Sequence, residues 1–244
     1  MRLPVIRGTI DRRILANYRV VPEVLESILP KPFRPQLVHG FGIAGICLIR
    51  LKQIRPSVFP AFLGIASENA AHRIAVEWDD GGDIRTGVYI PRRDTSSSIN
   101  AIAGGRIFPG VHHRANFDVR ETANHYRVKV TSRDRQTHFL VQGELSDKFP
   151  TGSIFESLDD VSQFFEAGSL GYSPSHRLNH FDGLELRSLN WRTLPLAIDK
   201  IESSFFDNVD LFPPGSATFD NALLMRGIDH QWHEREPICC SSTI

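Results

Sequence analysis

The sequence predicts a mainly antiparallel β fold of the α+β type, with two or three peripheral helices. Apolar and polar residues alternate through most of the chain, the period-two signature of strands with one packed face. Short polar turns separate successive alternating segments, as in a meander. Helical spacing is confined to a few short segments. A chain of many antiparallel strands must hide its edges, and closure into a barrel or cone does so while enclosing a pocket.

Ile14–Val20 reads as a strand and Pro22–Leu29 as a helix, with Pro22 tolerated in the first turn and Pro30 ending it. Residues 42–54 read as the next strand. Arg73–Trp78 and Arg85–Ile90 flank Asp79-Asp80-Gly81-Gly82-Asp83, whose Asp-Gly-Gly punctuation marks a hairpin. Ile99–Ile107 reads as a short helix or turn carrying Gly104-Gly105. Ala115–Glu121, Tyr126–Arg133 and His138–Leu145 form a strand meander. Ser157 followed by Asp160 is a capping-box-like start to a helix that buries Val161, Phe164 and Phe165 and ends at Gly168. Tyr172–His180 reads as a polar loop, and Leu184–Leu194, Lys200–Phe206 and Ala217–Met225 as strands. No internal repeat or linker-like shift interrupts the chain, so residues 1–244 are expected to form a single domain.

With 28 basic and 28 acidic side chains the formal net charge is +0, so no global field would hold the protein on nucleic acid or an anionic membrane, and neither is expected as a partner. The three cysteines, Cys47, Cys239 and Cys240, are odd in number and the last two are adjacent, which argues for a reducing compartment. The N-terminus has no uninterrupted apolar run, and no segment approaches the roughly 20 apolar residues that span a bilayer. The expected location is cytoplasmic. Gly104-Gly105 lacks the surroundings of a phosphate-binding loop, Ser96, Ser97 and Ser98 lack nucleophile-elbow glycines, and no cofactor is expected.

The segment Gly87-Val88-Tyr89-Ile90-Pro91-Arg92-Arg93-Asp94-Thr95-Ser96 is the leading candidate site. An apolar strand runs into two arginines, a carboxylate and hydroxyls, and a guanidinium donates two parallel hydrogen bonds to a carboxylate or phosphate. Arg92 and Arg93 are therefore read as an anion clamp, with Asp94, Tyr89 and Glu68 orienting the ligand. The alternative is a solvated loop whose arginines pair with nearby acids. Glu68, in Ser67-Glu68-Asn69-Ala70-Ala71-His72-Arg73, would act as a general base or orient one of the arginines. His112 and His113 are adjacent on a strand and point to opposite faces, so at most one lines a pocket; His112 is taken as the candidate. His230-Gln231-Trp232-His233 with Cys239-Cys240 is the nearest approach to a metal cluster, but it lacks paired ligand spacing, and no metal is expected.

Asn17-Tyr18-Arg19, Leu29-Pro30-Lys31-Pro32-Phe33, Ile90-Pro91-Arg92-Arg93, Phe108-Pro109-Gly110, Ile201-Glu202-Ser203-Ser204 and Leu211-Phe212-Pro213 occur in an order that resembles the acetoacetate decarboxylase-like superfamily. Within it the chain is most similar to the uncharacterised bacterial YqjF-like family (domain of unknown function 2071), from Ile14 to about Met225. The resemblance implies an antiparallel double barrel or cone around a buried small-molecule pocket, and marks Arg12 and Arg19 as further candidates for anion contact. The decarboxylase uses two adjacent lysines after a proline: one forms a Schiff base with the β-keto acid and the other lowers its pKa. Arg92 and Arg93 hold the matching positions here. A guanidinium stays protonated and supplies no free amine, and the decarboxylase's assisting acids have no match.

These readings converge on a protein that binds a small anionic organic molecule. One alternative is a lyase, hydratase or isomerase acting on a keto or hydroxy acid without a Schiff base, with Glu68, His112 or His113 as acid or base. A second is a structural protein that works through its surface. The sequence carries no interface signature and leaves homo-oligomerisation open.

Overall fold

The computed structural model describes residues 4–105 and 109–239 of the chain. Phe108, Cys240 and the end of the Ile99–Ile107 segment lie outside these residues. In chain order the elements are β1 (Ile6–Val20), α1 (Pro22–Ile28), β2 (Arg34–Pro35), β3 (Leu37–Val38), β4 (Phe41–Pro56), β5 (Ile65–Asp80), β6 (Asp83–Thr95), α2 (Ser98–Ala103), β7 (His112–Glu121), β8 (His125–Ser132), β9 (His138–Leu145), α3 (Leu158–Ala167), β10 (Leu170–Pro174), β11 (His180–Ser188), β12 (Leu194–Ser203) and β13 (Ala217–Cys239), with a single 3₁₀ turn at Ala61–Leu63. Among the described residues the fold is mostly β, with three peripheral α-helices. Among the described residues no helix is long and apolar enough to cross a membrane.

The pairings close the sheet on itself twice. One ring runs β6-β7-β8-β9-β12-β13-β1-β4-β5 and back to β6. A second, smaller ring runs β6-β10-β11-β13-β1-β4-β5 and back to β6. Strands β13, β1, β4, β5 and β6 are common to both and form a shared wall. Pairing is antiparallel except where β6 meets β7 and β10. Because successive side chains point to opposite faces, each shared strand sends one residue into the large ring and the next into the small one. Ile14, Ala16, Ile46, Leu48 and Leu224 enter the large-ring core with Val128, Phe139 and Val141. Leu15, Leu51, Leu223 and Met225 enter the other core, against Val161 and Phe165 of α3.

Local chemistry accounts for the turns and caps. The β5–β6 hairpin turns through Gly81 and Gly82 at φ +62° and +102°, a conformation open to glycine because it lacks Cβ. Ser157 caps α3 by accepting a hydrogen bond from the Asp160 N–H at 3.1 Å. Two expectations change. Part of Tyr172–His180 is strand rather than loop, since β10 pairs with both β6 and β11. The His230–Cys239 segment belongs to β13 in the shared wall, and His230 is buried.

Two buried histidines, His72 and His230, and the partly buried His112 predict acid lability. His72 lies against the Phe139 and Phe205 rings, with Nε2 3.2 Å from Ser203 Oγ. Burial, aided by the nearby Arg92 cation, pushes its pKa down to about 3. Burial takes His112 and His230 down to about 4. Each is neutral in the folded state at a pH where the unfolded chain takes up a proton, so stability is complete above about pH 6.5 and falls as the pH drops toward 4. Between pH 6.5 and 4.5, the unfolding free energy from urea titrations should fall by up to about 1.4 kcal/mol per pH unit for each histidine. His72→Phe should remove close to one proton from that slope, and an unchanged slope would overturn the assignment.

Candidate functional site

A cavity of about 420 Å³ lies on the small-ring side of the shared wall, enclosed by β10, β11 and α3. Its lining is mostly apolar, including Ile49, Ile90, Phe165, Leu186 and Trp191. Four arginines border it: Arg55 donates to the Gln53 and Phe59 carbonyls at 2.7 and 3.0 Å, and the other three, Arg13, Arg73 and Arg93, lie with Cys47 and His112. Strand register explains the grouping: Leu15, Cys47, Ala71, Arg93 and His112 form one continuous row across β1, β4, β5, β6 and β7.

Each arginine is held by neutral groups. Arg93 Nε donates to Ser173 Oγ on β10 at 2.8 Å, and burial pushes its pKa down to about 10. Gly110, at φ +81°, leaves room for it, since a Cβ there would stand 3.0 Å from Nε. Arg73 is 4% exposed, packs its guanidinium 4.1 Å from the Phe165 ring centroid and donates through Nη2 to Asn17 Oδ1. Burial pushes Arg73 down to about 9, and the like charge of Arg13 adds to this. Arg73 Nε and Arg13 Nε and Nη1 are buried without a hydrogen-bond partner among the described residues. The Arg13 guanidinium lies 5.8 Å from the centre of Trp191. None of the three forms an ion pair among the described residues, whereas Arg92 forms two.

His112 Nδ1 lies 2.8 Å from the Gly110 carbonyl oxygen. With its pKa pushed down to about 4 by burial, the ring is neutral at pH 7, so Nδ1–H donates to that carbonyl and the lone pair sits on Nε2. All five lysines are described, and none lines the cavity. Lys52 pairs with Asp11 at 2.9 Å and Lys200 with Glu202 at 2.8 Å.

The sequence candidates divide between the two rings. Arg93, Asp94 and His112 border the cavity. Arg92 and Arg93 do not converge, because neighbours on a strand face opposite ways: Arg92 turns to the large-ring side, where Asp94 and Asp134 hold it at 3.0 and 2.8 Å. The Asp94 carboxylate is engaged with Arg92. A register shift between His72 and Ile74 places Tyr89 in the large-ring core, in an aromatic cluster with Phe33 and Phe181. Glu68 binds Arg12 at 2.6 Å and Arg50 at 2.5 Å, in a network that includes Glu121. Arg12, fully buried, is tied to Glu68 and Glu121, and Arg19 pairs with Asp220 at 3.5 Å. Arg13, Arg73 and Cys47 were not among the candidates. The signal for Arg73 was present in the sequence: it stands in an i, i+2 row with Ala71 and Ala75, a charged residue among small apolar ones.

Comparison with known proteins adds the family and the fold. A family model, DUF2071, described as an uncharacterised conserved protein, matches residues 8–219. No curated protein matches the chain. Acetoacetate decarboxylase from Legionella pneumophila is structurally similar, with a TM-score of 0.63 at 9% identity over 98% of this chain and 88% of that one. An acetoacetate decarboxylase-like enzyme from Sphingomonas wittichii RW1 gives 0.60 at 12% identity over 98% and 93%. The enduracididine biosynthesis enzyme MppR, complexed with pyruvate, gives 0.61 at 10% identity over 100% and 93%. At these identities the likeness is one of fold.

Proposed function

We propose, from the premise that this chain belongs to the DUF2071 family and has an acetoacetate decarboxylase-like fold, that its cavity binds a small organic acid whose carboxylate rests on Arg93. The observation that carries this is a partly buried guanidinium beside an apolar cavity with one neutral side-chain partner, Ser173, and no ion pair among the described residues. A buried charge is costly unless it is paired, and a ligand carboxylate would pair it. Since a structurally similar enzyme is complexed with pyruvate, 2-oxo acids are the first class to try. Schiff-base chemistry is not part of the proposal, because no lysine lines the cavity. An acid–base reaction on the same ligand would fall to His112, which borders the cavity as a neutral imidazole; Glu68 is occupied by Arg12 and Arg50.

The test is a thermal-shift panel of 2-oxo acids, hydroxy acids, acyl esters and sugar phosphates, with Cys47 as the resident reporter. A carboxylate ligand at 100 times its Kd should stabilise the protein by about 2.7 kcal/mol. It should also slow alkylation of Cys47 by about 100-fold, the inverse of the unoccupied fraction, while exposed Cys239 reacts unchanged in the same peptide-resolved mass spectra. Silence across the panel, or stabilisation without protection of Cys47, would remove the cavity from consideration.

A further inference from the structure

We infer that the cavity takes a dianion: an organic acid with an anionic group at each end of a short apolar chain, one on Arg93 and the other on Arg13 and Arg73. This rests on the organic-acid reading and narrows its substrate class. The guanidiniums leave the shared wall in opposite directions. From β5, Arg73 reaches back across β4 at Gly45 to Asn17 on β1, where a Cβ at Gly45 would meet Asn17 Oδ1 at 3.2 Å. From β6, Arg93 reaches the other way, to Ser173 on β10. Arg13, on β1, stands on the Arg73 side near Trp191. With neighbouring strands about 4.8 Å apart and two residues of offset along them, the Cα atoms of Arg13 and Arg93 are at most about 16 Å from each other, and their side chains extend into the space between.

Charge balance separates a dianion from a monoanion. One carboxylate on Arg93 would leave two further guanidiniums buried, with three nitrogen atoms, Arg13 Nε and Nη1 and Arg73 Nε, still unpartnered. Buried cations in that state are costly, and a second carboxylate would answer both. Asp182, an opposing charge at the first pole, accepts from the Gly110 N–H at 3.1 Å and forms no ion pair with Arg93 among the described residues. Between the poles the surface is apolar or weakly polar, with Ile49, Ala71, Ile90 and Cys47, which suits a methylene chain.

The experiment is calorimetric titration of the wild-type protein with succinate through suberate against butanoate through octanoate. At the best length the diacid should bind about 10- to 100-fold more tightly than the matching monoacid, the range for an added charge-assisted contact. Arg73→Gln and Arg13→Gln should reduce diacid affinity to the monoacid level while changing monoacid affinity by less than about threefold, and Arg93→Gln should weaken both. Monoacids binding as tightly as diacids would overturn the inference and leave the organic-acid reading standing. Binding of neither class would end both. A diacid preference that survives Arg73→Gln and Arg13→Gln would overturn the assignment of the second pole. The wild-type comparison is decisive even where a variant fails to fold.

Discussion

Replacing Arg93 with methionine is expected to raise the melting temperature of the unliganded protein and to abolish its response to organic acids. The unliganded chain carries the cost of a partly desolvated guanidinium with one neutral side-chain partner, and burial pushes that group down to about 10. Apolar replacement of an ion that is not well compensated is often stabilising by about 1–4 kcal/mol. In a chain of this size each kcal/mol corresponds to about 2–4 °C. Ligand affinity should fall by about 100-fold or more, since truncating one partner of a buried charged contact costs about 2–5 kcal/mol. Arg92→Met supplies the contrast one residue away. It removes the cation that faces Asp94 and Asp134, strands a fully buried carboxylate at Asp94, and should lower the melting temperature while leaving ligand affinity nearly unchanged. A destabilised Arg93→Met that still responds to ligand would make Arg93 a structural residue and Arg92 the better candidate.

That opposition between neighbours shows how far the sequence can be read. Alternation identified the strands, the Asp-Gly-Gly turn identified the β5–β6 hairpin, and Ser157 with Asp160 identified the start of α3, because each is a local signal that survives in the fold. The acetoacetate decarboxylase-like fold was legible in the order of the landmarks. The site was legible only in part. Alternation reports which residues share a face but not which face meets solvent, and in a wall shared by two closed rings neither face does. Alternation therefore does not mark Arg13 as interior, although its Nε and Nη1 are buried, and marks Arg73 only through its small apolar neighbours Ala71 and Ala75. Arg92 and Arg93 looked like one clamp because adjacency in sequence was taken for adjacency in space, which a strand denies. Tyr89 was misplaced because the register shift opposite His72 and Ile74 leaves no mark in composition. Strand β10 was missed because Ser173, Pro174 and Ser175 have loop chemistry, and its pairing with β6 is a long-range contact.

Arg12→Met is the substitution expected to harm the fold most. Arg12 is fully buried and donates to Glu68 at 2.6 Å and to Glu121, which Arg50 also binds, at 2.5 and 3.0 Å respectively. Burial presses the Glu121 carboxyl upward, yet Arg12 and Arg50 outweigh it and hold the group below the usual carboxylate range. Removing Arg12 leaves two largely buried carboxylates with one partner between them, and breaking a buried pair from one side costs about 3–5 kcal/mol. Arg50→Met should cost less, because Arg50 is 25% exposed and the remaining carboxylates keep Arg12 and access to water. The ordering is measurable as urea midpoints at constant slope, with Arg12→Met far below Arg50→Met. Glu121 should also become easier to protonate in Arg12→Met, so the deficit should narrow as the pH falls below about 4.5, where the wild type loses the same pairing. If Arg12→Met instead leaves the midpoint in place and lowers organic-acid affinity, Arg12 belongs to the binding site and the large ring holds the ligand. The two faces of β1 thus differ: one carries Arg12, paired with Glu68 and Glu121, and the other carries Arg13, which forms no ion pair among the described residues.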